Sequence, residues 1–300
     1  MSIAELPVII AGPGAIGLGL AVACRSKGRR VAAIGRAGFL PRGCLTVADE
    51  RIEGEFDPTV SDEAVAVVAV KDYDIEAIIA KLGAEMSKAV AIVTLQNGLG
   101  SAERLGMNGR VVRAIVWACA RRASPSEANW TGPIRLSVEM QEGKQTVAEL
   151  VGNYLTSRFT HIELTPPDVF RALQFEKLIV NATANTLAAL YDLPCAGLLA
   201  HPEALRVAAD VSFEIEALAR SLCVTLREDP GDIVRRAWTQ MGEFAPSMLQ
   251  DARAGRPLEL RSIVEQPLAM AARLGVPMPT LTTLHAALSR QFPLSSSSNL

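Results

Sequence analysis

Three polar residues recur every fourth position in an otherwise apolar stretch: Lys177, Asn181 and Asn185, set among Leu178, Ile179, Val180, Leu187, Ala188 and Leu190. On a helix turning about 100° per residue the three stay within about 80° of one another and share one face. An amide buried without a partner is costly, and an unpaired ammonium is costlier. Such a stripe therefore persists either as a solvated face or as one that meets a ligand. A solvated face usually carries several charges, and asparagine is a poor helix former, which favours the ligand. A cation beside two amides suits an anionic small molecule and negative charge developing on its oxygen.

A second chemical signal lies near the N-terminus. Gly12-Pro13-Gly14-Ala15-Ile16-Gly17 is a G-x-G-x-x-G between a strand-like run and a helical pattern. Gly12 permits a tight turn, Gly14 lets backbone approach a pyrophosphate, and Gly17 lets the helix pack close to the strand. The helix start offers N–H groups and a positive dipole end to phosphates. The alternative is a glycine-rich turn that merely packs. An NAD site normally adds an acid about 20 residues further on, at the end of the second strand, to hold the ribose 2′-hydroxyl. Here that strand ends Ala32-Ala33-Ile34-Gly35-Arg36, and no Asp or Glu lies between Glu5 and Asp49. Arg36 suits a 2′-phosphate, so NADP(H) is favoured over NAD(H). An ordinary exposed turn arginine is the competing reading.

The elements that must position these residues follow from hydrophobic patterning. Pro7–Ala11, Arg30–Ile34, Val65–Val70 and Val90–Leu95 are short continuous apolar runs, as expected of parallel strands buried on both faces. The segment from Asp74 to Met86 has helical spacing between two of them, and Arg113–Cys119 and Ile134–Glu139 add two strands around a polar turn region. Alternating strands and helices imply βαβ units in a doubly wound, mostly parallel sheet. From Val169 onward only helices are expected, over 170–190, 202–223, 229–244, 246–254, 258–274 and 281–289. Pro166, Pro202, Pro230, Pro246 and Pro257 sit at plausible first-turn positions. The expected architecture is an α/β domain over residues 1–165 and an all-helical domain over 166–300, with SSSSNL a frayed tail.

Composition narrows the function. Thirty Lys and Arg against 32 Asp and Glu give a net charge of −2, which argues against a nucleic-acid binder. Aromatic residues are only 5%, too few for a base-stacking surface. Five scattered cysteines without a C-x-x-C pair, and His161, His201 and His285 without H-E-x-x-H spacing, point to a reducing cytoplasm and no zinc. The apolar stretch from Leu6 to Cys24 lacks a basic flank and carries four glycines, unlike a signal peptide, and no stretch suggests a membrane span.

A further polar block runs Ser247-Met248-Leu249-Gln250-Asp251, then Gly255-Arg256-Pro257-Leu258-Glu259-Leu260. Taken alone, Glu259 reads as a carboxylate favoured by the start of a helix. Together, GPGAIG, Lys71 ending a strand, Gln96-Asn97-Gly98 ending another, KLIVNATAN and SMLQDARAGRPLE resemble the ketopantoate reductase (2-dehydropantoate 2-reductase) family over nearly the whole chain. The resemblance implies a Rossmann domain joined to a helical domain like that of 6-phosphogluconate dehydrogenase. It implies NADPH-dependent reduction of a small 2-oxo acid, ketopantoate to pantoate, in pantothenate and coenzyme A synthesis. By that likeness Lys177 is the general acid, and Glu259 holds and orients the substrate hydroxyl. Asn181, Asn185 and Ser247 bond the substrate, Asn97 lies beside substrate and nicotinamide, Lys71 lies near the cofactor and Arg36 on its 2′-phosphate. The chemistry is coherent in itself, because an ammonium both stabilises and protonates a developing alkoxide.

Three features depart from the family pattern. An acid usual two residues after the glutamate is Arg261, an Asn-Gly pair a few positions on is Glu265-Gln266, and a proline common after the second asparagine is Thr186. They leave open a relative acting on a different 2-oxo or 2-hydroxy acid. A non-catalytic NADP(H)-binding protein is the reading from another class. The apolar helical half leaves a homodimer open beside a self-contained core.

Overall fold

In the computed structural model, residues 6–58, 63–106, 110–143 and 145–293 are described; the SSSSNL tail lies outside them. The chain divides into two compact units, one of residues 1–96 and 101–170, the other of residues 97–100 and 171–300.

The first unit contains strands β1 (Val8–Ala11), β2 (Val31–Gly35), β3 (Gly38–Leu40), β4 (Arg42–Val47), β5 (Glu50–Glu55), β6 (Val65–Val68), β7 (Ala91–Thr94), β8 (Val111–Trp117), β9 (Ala120–Ser124), β10 (Glu127–Trp130), β11 (Ile134–Glu139) and β12 (Thr160–Thr165). Its helices are α1 (Ala15–Ser26), α2 (Ile75–Lys88), α3 (Ser101–Leu105) and α4 (Gln145–Leu155). The main sheet has the order β12-β11-β8-β7-β6-β1-β2-β3. Strands β2, β1, β6, β7 and β8 run parallel, and the pairs β2–β3 and β8–β11 are antiparallel. The fully buried runs VIIA, VAVV and AIVT form its centre. The chain leaves β1 on one side to make β2 and returns on the other to make β6. The carboxyl end of β1 is thus a topological switch point, where ligands of open α/β sheets bind.

A second sheet, β5-β4-β10-β9, packs on α1 and was not expected from the sequence. Its strands include ERIEGE and ARRAS, half-exposed and rich in charge, so no continuous apolar run marks them. The polar turn region expected after β8 is in fact the β9–β10 hairpin. Trp130 of β10 packs against α1 where Gly19 leaves room; a Cβ at Gly19 would sit 2.1 Å from its ring. Its Nε1 donates to the Ala15 carbonyl at 2.9 Å, tying this sheet to the start of the glycine loop's helix.

The second unit is helical, and its described residues contain no strand. Helix α5 (Pro167–Val180) carries the chain into it, followed by α6 (Thr186–Tyr191), α7 (Cys195–Leu199), α8 (Pro202–Ser221), α9 (Pro230–Met241), α10 (Ser247–Arg253), α11 (Gln266–Leu274) and α12 (Pro279–Gln291). Pro202 and Pro230 open helices as expected, with His201 and Asp229 accepting hydrogen bonds from first-turn N–H groups. Pro246 instead precedes its helix, Pro166 yields the first position to Pro167, and Pro257 lies in an extended segment.

Two of the expected helices contain a π-helical turn. Asn181–Asn185 and Arg261–Glu265 are π-helical turns, the first between α5 and α6, the second ahead of α11. Such wide turns free carbonyl groups, and threonines here answer them. Thr183 Oγ1 donates to the Ile179 carbonyl at 2.8 Å, and Thr186 Oγ1 donates to the Ala182 and Thr183 carbonyls. Thr186, one of the three departures, thus serves the turn that carries both asparagines.

Candidate active site

The glycine loop occupies the carboxyl end of β1, and its three glycines meet three different surroundings. Gly12 has φ +95°, and a Cβ there would lie 2.6 Å from the Val70 nitrogen. A Cβ on Gly17 would lie 2.2 Å from the Gly12 carbonyl oxygen. Both positions are closed by backbone, so only glycine fits. Gly14 is the opposite: a Cβ there would meet nothing within 4 Å. Gly14 is also the N-cap of α1, with no side-chain cap and no acid in the first turn. Pro13, Ala15 and Ile16 complete the loop. Lys71 follows Val70 and opens the short helical turn Asp72–Asp74, so the glycine loop and Lys71 belong to one strand-end cluster.

Arg36 follows β2 and does not stand alone. Its Nη2 and Nε donate to Asp74 Oδ2 at 2.7 and 3.2 Å, which holds the guanidinium above its ordinary pKa. Lys81 Nζ donates to the carbonyls of Gly35 and Arg36 at 2.8 and 3.2 Å, fixing the same turn. Asp74 and Lys81 escaped sequence reading. They come from the β6–α2 connection and from α2, and no spacing rule links them to Arg36.

In the second unit the polar stripe is a hydrogen-bonded chain. Ser247 Oγ and Met248 N–H donate to Asn185 Oδ1 at 3.4 Å each. Asn185 Nδ2 donates to Asn181 Oδ1 at 3.3 Å, and Asn181 Nδ2 donates to Asn97 Oδ1 at 3.3 Å. Asn181 and Asn185 are 5% and 4% exposed, so a solvated face is excluded for them. The bonds offset part of the cost of burying the two amides of Asn181 and Asn185. Their length leaves them weak enough to re-aim. Lys177, half-buried, lies four residues ahead of Asn181 on α5.

Asn97 is joined to this chain by a local device. The four residues 97–100, read from the sequence as part of the first domain, group with the helical unit. Leu99 is buried in the helical core, and its N–H donates to the Ser262 carbonyl at 3.0 Å. Gly98 has φ +81°, and a Cβ there would lie 2.1 Å from that same carbonyl oxygen. Asn97 thus reaches the first π-helical turn by its side chain while Leu99 is fastened to the second, and the two turns pack together. Glu259 is 4% exposed and immediately precedes the helical residue Leu260. A buried carboxylate at a helix start is stabilised by the dipole, so capping and substrate binding are compatible there. The departure at Gln266 also touches this region: a Cβ on Gly100 would lie 3.3 Å from its side-chain Cδ.

Comparison with known proteins decides the family. The model described as "Ketopantoate reductase PanE/ApbA" matches residues 8–143, and "Ketopantoate reductase PanE/ApbA C terminal" matches residues 169–291. The chain belongs to the ketopantoate reductase family. A 2-dehydropantoate 2-reductase of Halobacterium salinarum is 26% identical over 234 residues, 76% of each chain. The solved 2-dehydropantoate 2-reductase of Geobacter metallireducens GS-15 superposes with a TM-score of 0.81 at 24% identity, covering 95% of this chain and 99% of that one. A D-mandelate dehydrogenase solved with NADH and anilino(oxo)acetate shares the fold, with a TM-score of 0.83 at 18% identity over 96% and 98% of the two chains.

As a ketopantoate reductase family member, the chain is a pyridine-nucleotide-dependent oxidoreductase acting on a CH–OH group. Its own residues fit that nucleotide. Open space at Gly14 beside an uncapped helix start is what a pyrophosphate requires, and the closed positions at Gly12 and Gly17 hold the loop in shape. No helix among the described residues is long and apolar enough to cross a membrane.

Proposed function

We propose that this ketopantoate reductase family member reduces ketopantoate to pantoate with NADPH, the reaction that feeds pantothenate and coenzyme A synthesis. The observation that carries this reading is the hydrogen-bonded chain Ser247–Asn185–Asn181–Asn97, buried at its two central asparagines, with Lys177 one turn ahead of Asn181. Gly12, Gly14 and Gly17 would hold the pyrophosphate, with Lys71 nearby and Arg36 on the 2′-phosphate. The reduced nicotinamide, when bound, supplies the hydride that adds to the keto carbon. Lys177 attracts the anionic oxo acid and donates a proton to the oxygen on which negative charge develops. Asn181, Asn185, Ser247 and Asn97 exchange their long mutual bonds for shorter ones to the substrate's carboxylate and oxygen atoms. Glu259 accepts a hydrogen bond from the substrate hydroxyl and so orients the chain that bears it.

The test is NADPH oxidation by the purified protein with ketopantoate and a panel of other 2-oxo acids, repeated with NADH, the nucleotide bound in the D-mandelate dehydrogenase of the same fold. Ketopantoate is expected to be turned over most efficiently. Tight NADPH binding without ketopantoate turnover would assign the pocket to another acid, the reading that Arg261 and Glu265-Gln266 favour. Glu259→Gln is expected to lower kcat/KM for ketopantoate about tenfold or more, the worth of a charge-assisted hydrogen bond, and to spare nucleotide binding. Unchanged turnover would leave Glu259 with helix capping alone.

A further inference from the structure

The acid that an NAD site places after the second strand is missing from that part of the sequence, yet a carboxylate from elsewhere bonds the side chain of Arg36, the residue that follows the strand. Asp74 Oδ2 engages Nη2 and Nε of Arg36, one of the two edges by which a guanidinium grips an anion bidentately. The Arg36 side chain is 71% exposed and that of Asp74 only 19%, so the exposed cation is tethered to the better-buried anion. Asp74 is not needed to place the Arg36 backbone, because Lys81 already holds the carbonyls of Gly35 and Arg36. The Tyr73 ring, 5.7 Å from the guanidinium carbon, supports the cation from another side.

These contacts have opposite consequences for the two dinucleotides. A 2′-phosphate that binds Arg36 must displace or share with Asp74, and its double negative charge is repelled by the carboxylate. A neutral ribose 2′-hydroxyl can donate to that carboxylate, as it does to the usual acid of NAD sites. We propose that Asp74 is a selectivity-setting residue that weakens the preference of Arg36 for the 2′-phosphate, so that the protein accepts both NADP(H) and NAD(H). This rests on the assignment of the dinucleotide to the glycine loop and of its 2′-phosphate to Arg36.

Binding of NADP⁺ and NAD⁺ by calorimetry to the wild type, Asp74→Asn, Asp74→Ser and Arg36→Ala tests it without reference to turnover. Asp74 makes no side-chain capping bond at the start of α2, so neither Asn nor Ser removes a cap there and folding is retained. The wild type is expected to bind the two nucleotides within about tenfold of each other. Asp74→Asn and Asp74→Ser should tighten NADP⁺ binding about tenfold and weaken NAD⁺ binding. The gain for NADP⁺ should be larger above about pH 7 than below about pH 5.5, because the second ionisation of a phosphate monoester lies near pH 6. Weaker NADP⁺ binding in both variants, or equal changes for both nucleotides, would overturn the proposal and reduce Asp74 to a support for Arg36. Loss of NADP⁺ affinity in Arg36→Ala with no shift in selectivity in either Asp74 variant would overturn the Asp74 assignment alone. A wild type that binds neither nucleotide, or an Arg36→Ala that binds NADP⁺ as well as the wild type, would overturn the underlying assignment and this one with it.

Discussion

Replacing Lys177 with alanine is expected to lower oxo-acid turnover about 1,000-fold while leaving dinucleotide affinity within about twofold of the wild type. General acid catalysis contributes roughly 10²–10⁴-fold, and the loss of a cation that also stabilises the developing alkoxide moves the effect away from the low end. Lys177 lies on α5 and is assigned to the proton transfer, not to the dinucleotide's phosphates, so nucleotide affinity is expected to be spared. Lys177→Arg separates the two roles. A guanidinium keeps the attraction for the acid's carboxylate and so preserves KM, but it releases a proton far less readily and kcat stays low. Steady-state kinetics on both variants, with nucleotide binding measured alongside, checks this. An alanine variant with normal kcat would remove Lys177 from the chemistry.

The second large effect is a contrast between two glycines of one loop. Gly12→Ala is expected to destabilise the fold by about 3 kcal/mol, and Gly14→Ala by less than about 1 kcal/mol. At Gly12 the added methyl meets the backbone of Val70 at 2.6–2.8 Å and the residue sits at φ +95°, so neither neighbour nor dihedral can yield cheaply. At Gly14 φ is −81° and the methyl enters open space. The effect on dinucleotide binding reverses the order. Gly14→Ala fills the space through which a pyrophosphate approaches the helix start, and affinity should fall about a hundredfold, or about 2.7 kcal/mol. Thermal melts and nucleotide titrations on the two variants read out both halves. A Gly14→Ala protein that binds nucleotide normally would show that the loop only packs.

Much of this is legible in the sequence. The buried strands β1, β6 and β7 announce themselves as VIIA, VAVV and AIVT because a strand covered on both faces has no polar positions to interrupt it. The glycine loop was legible because each of its glycines answers a separate local requirement. The stripe Lys177, Asn181, Asn185 was legible because polar residues at helical spacing among Leu and Ile stand out against a cost that must be met somewhere. The second sheet was not, since half-exposed strands such as ERIEGE and ARRAS carry the composition of loops.

Fold class and the residue types available for phosphate, proton and amide chemistry are readable from periodicity and short-range spacing, while the family rests on the likeness of GPGAIG, KLIVNATAN and SMLQDARAGRPLE to its motifs. Long-range packing instead sets how distant residues share bonds. It linked Ser247, Asn185, Asn181 and Asn97 in one chain, widened two helices into π-helical turns, and took Asn97–Gly100 into the helical unit. It also brought Asp74 to Arg36 across 38 positions of chain. Contacts of that kind arise where separately folded elements meet, and the free energy that selects them lies in packing and hydrogen-bond satisfaction that no local pattern encodes.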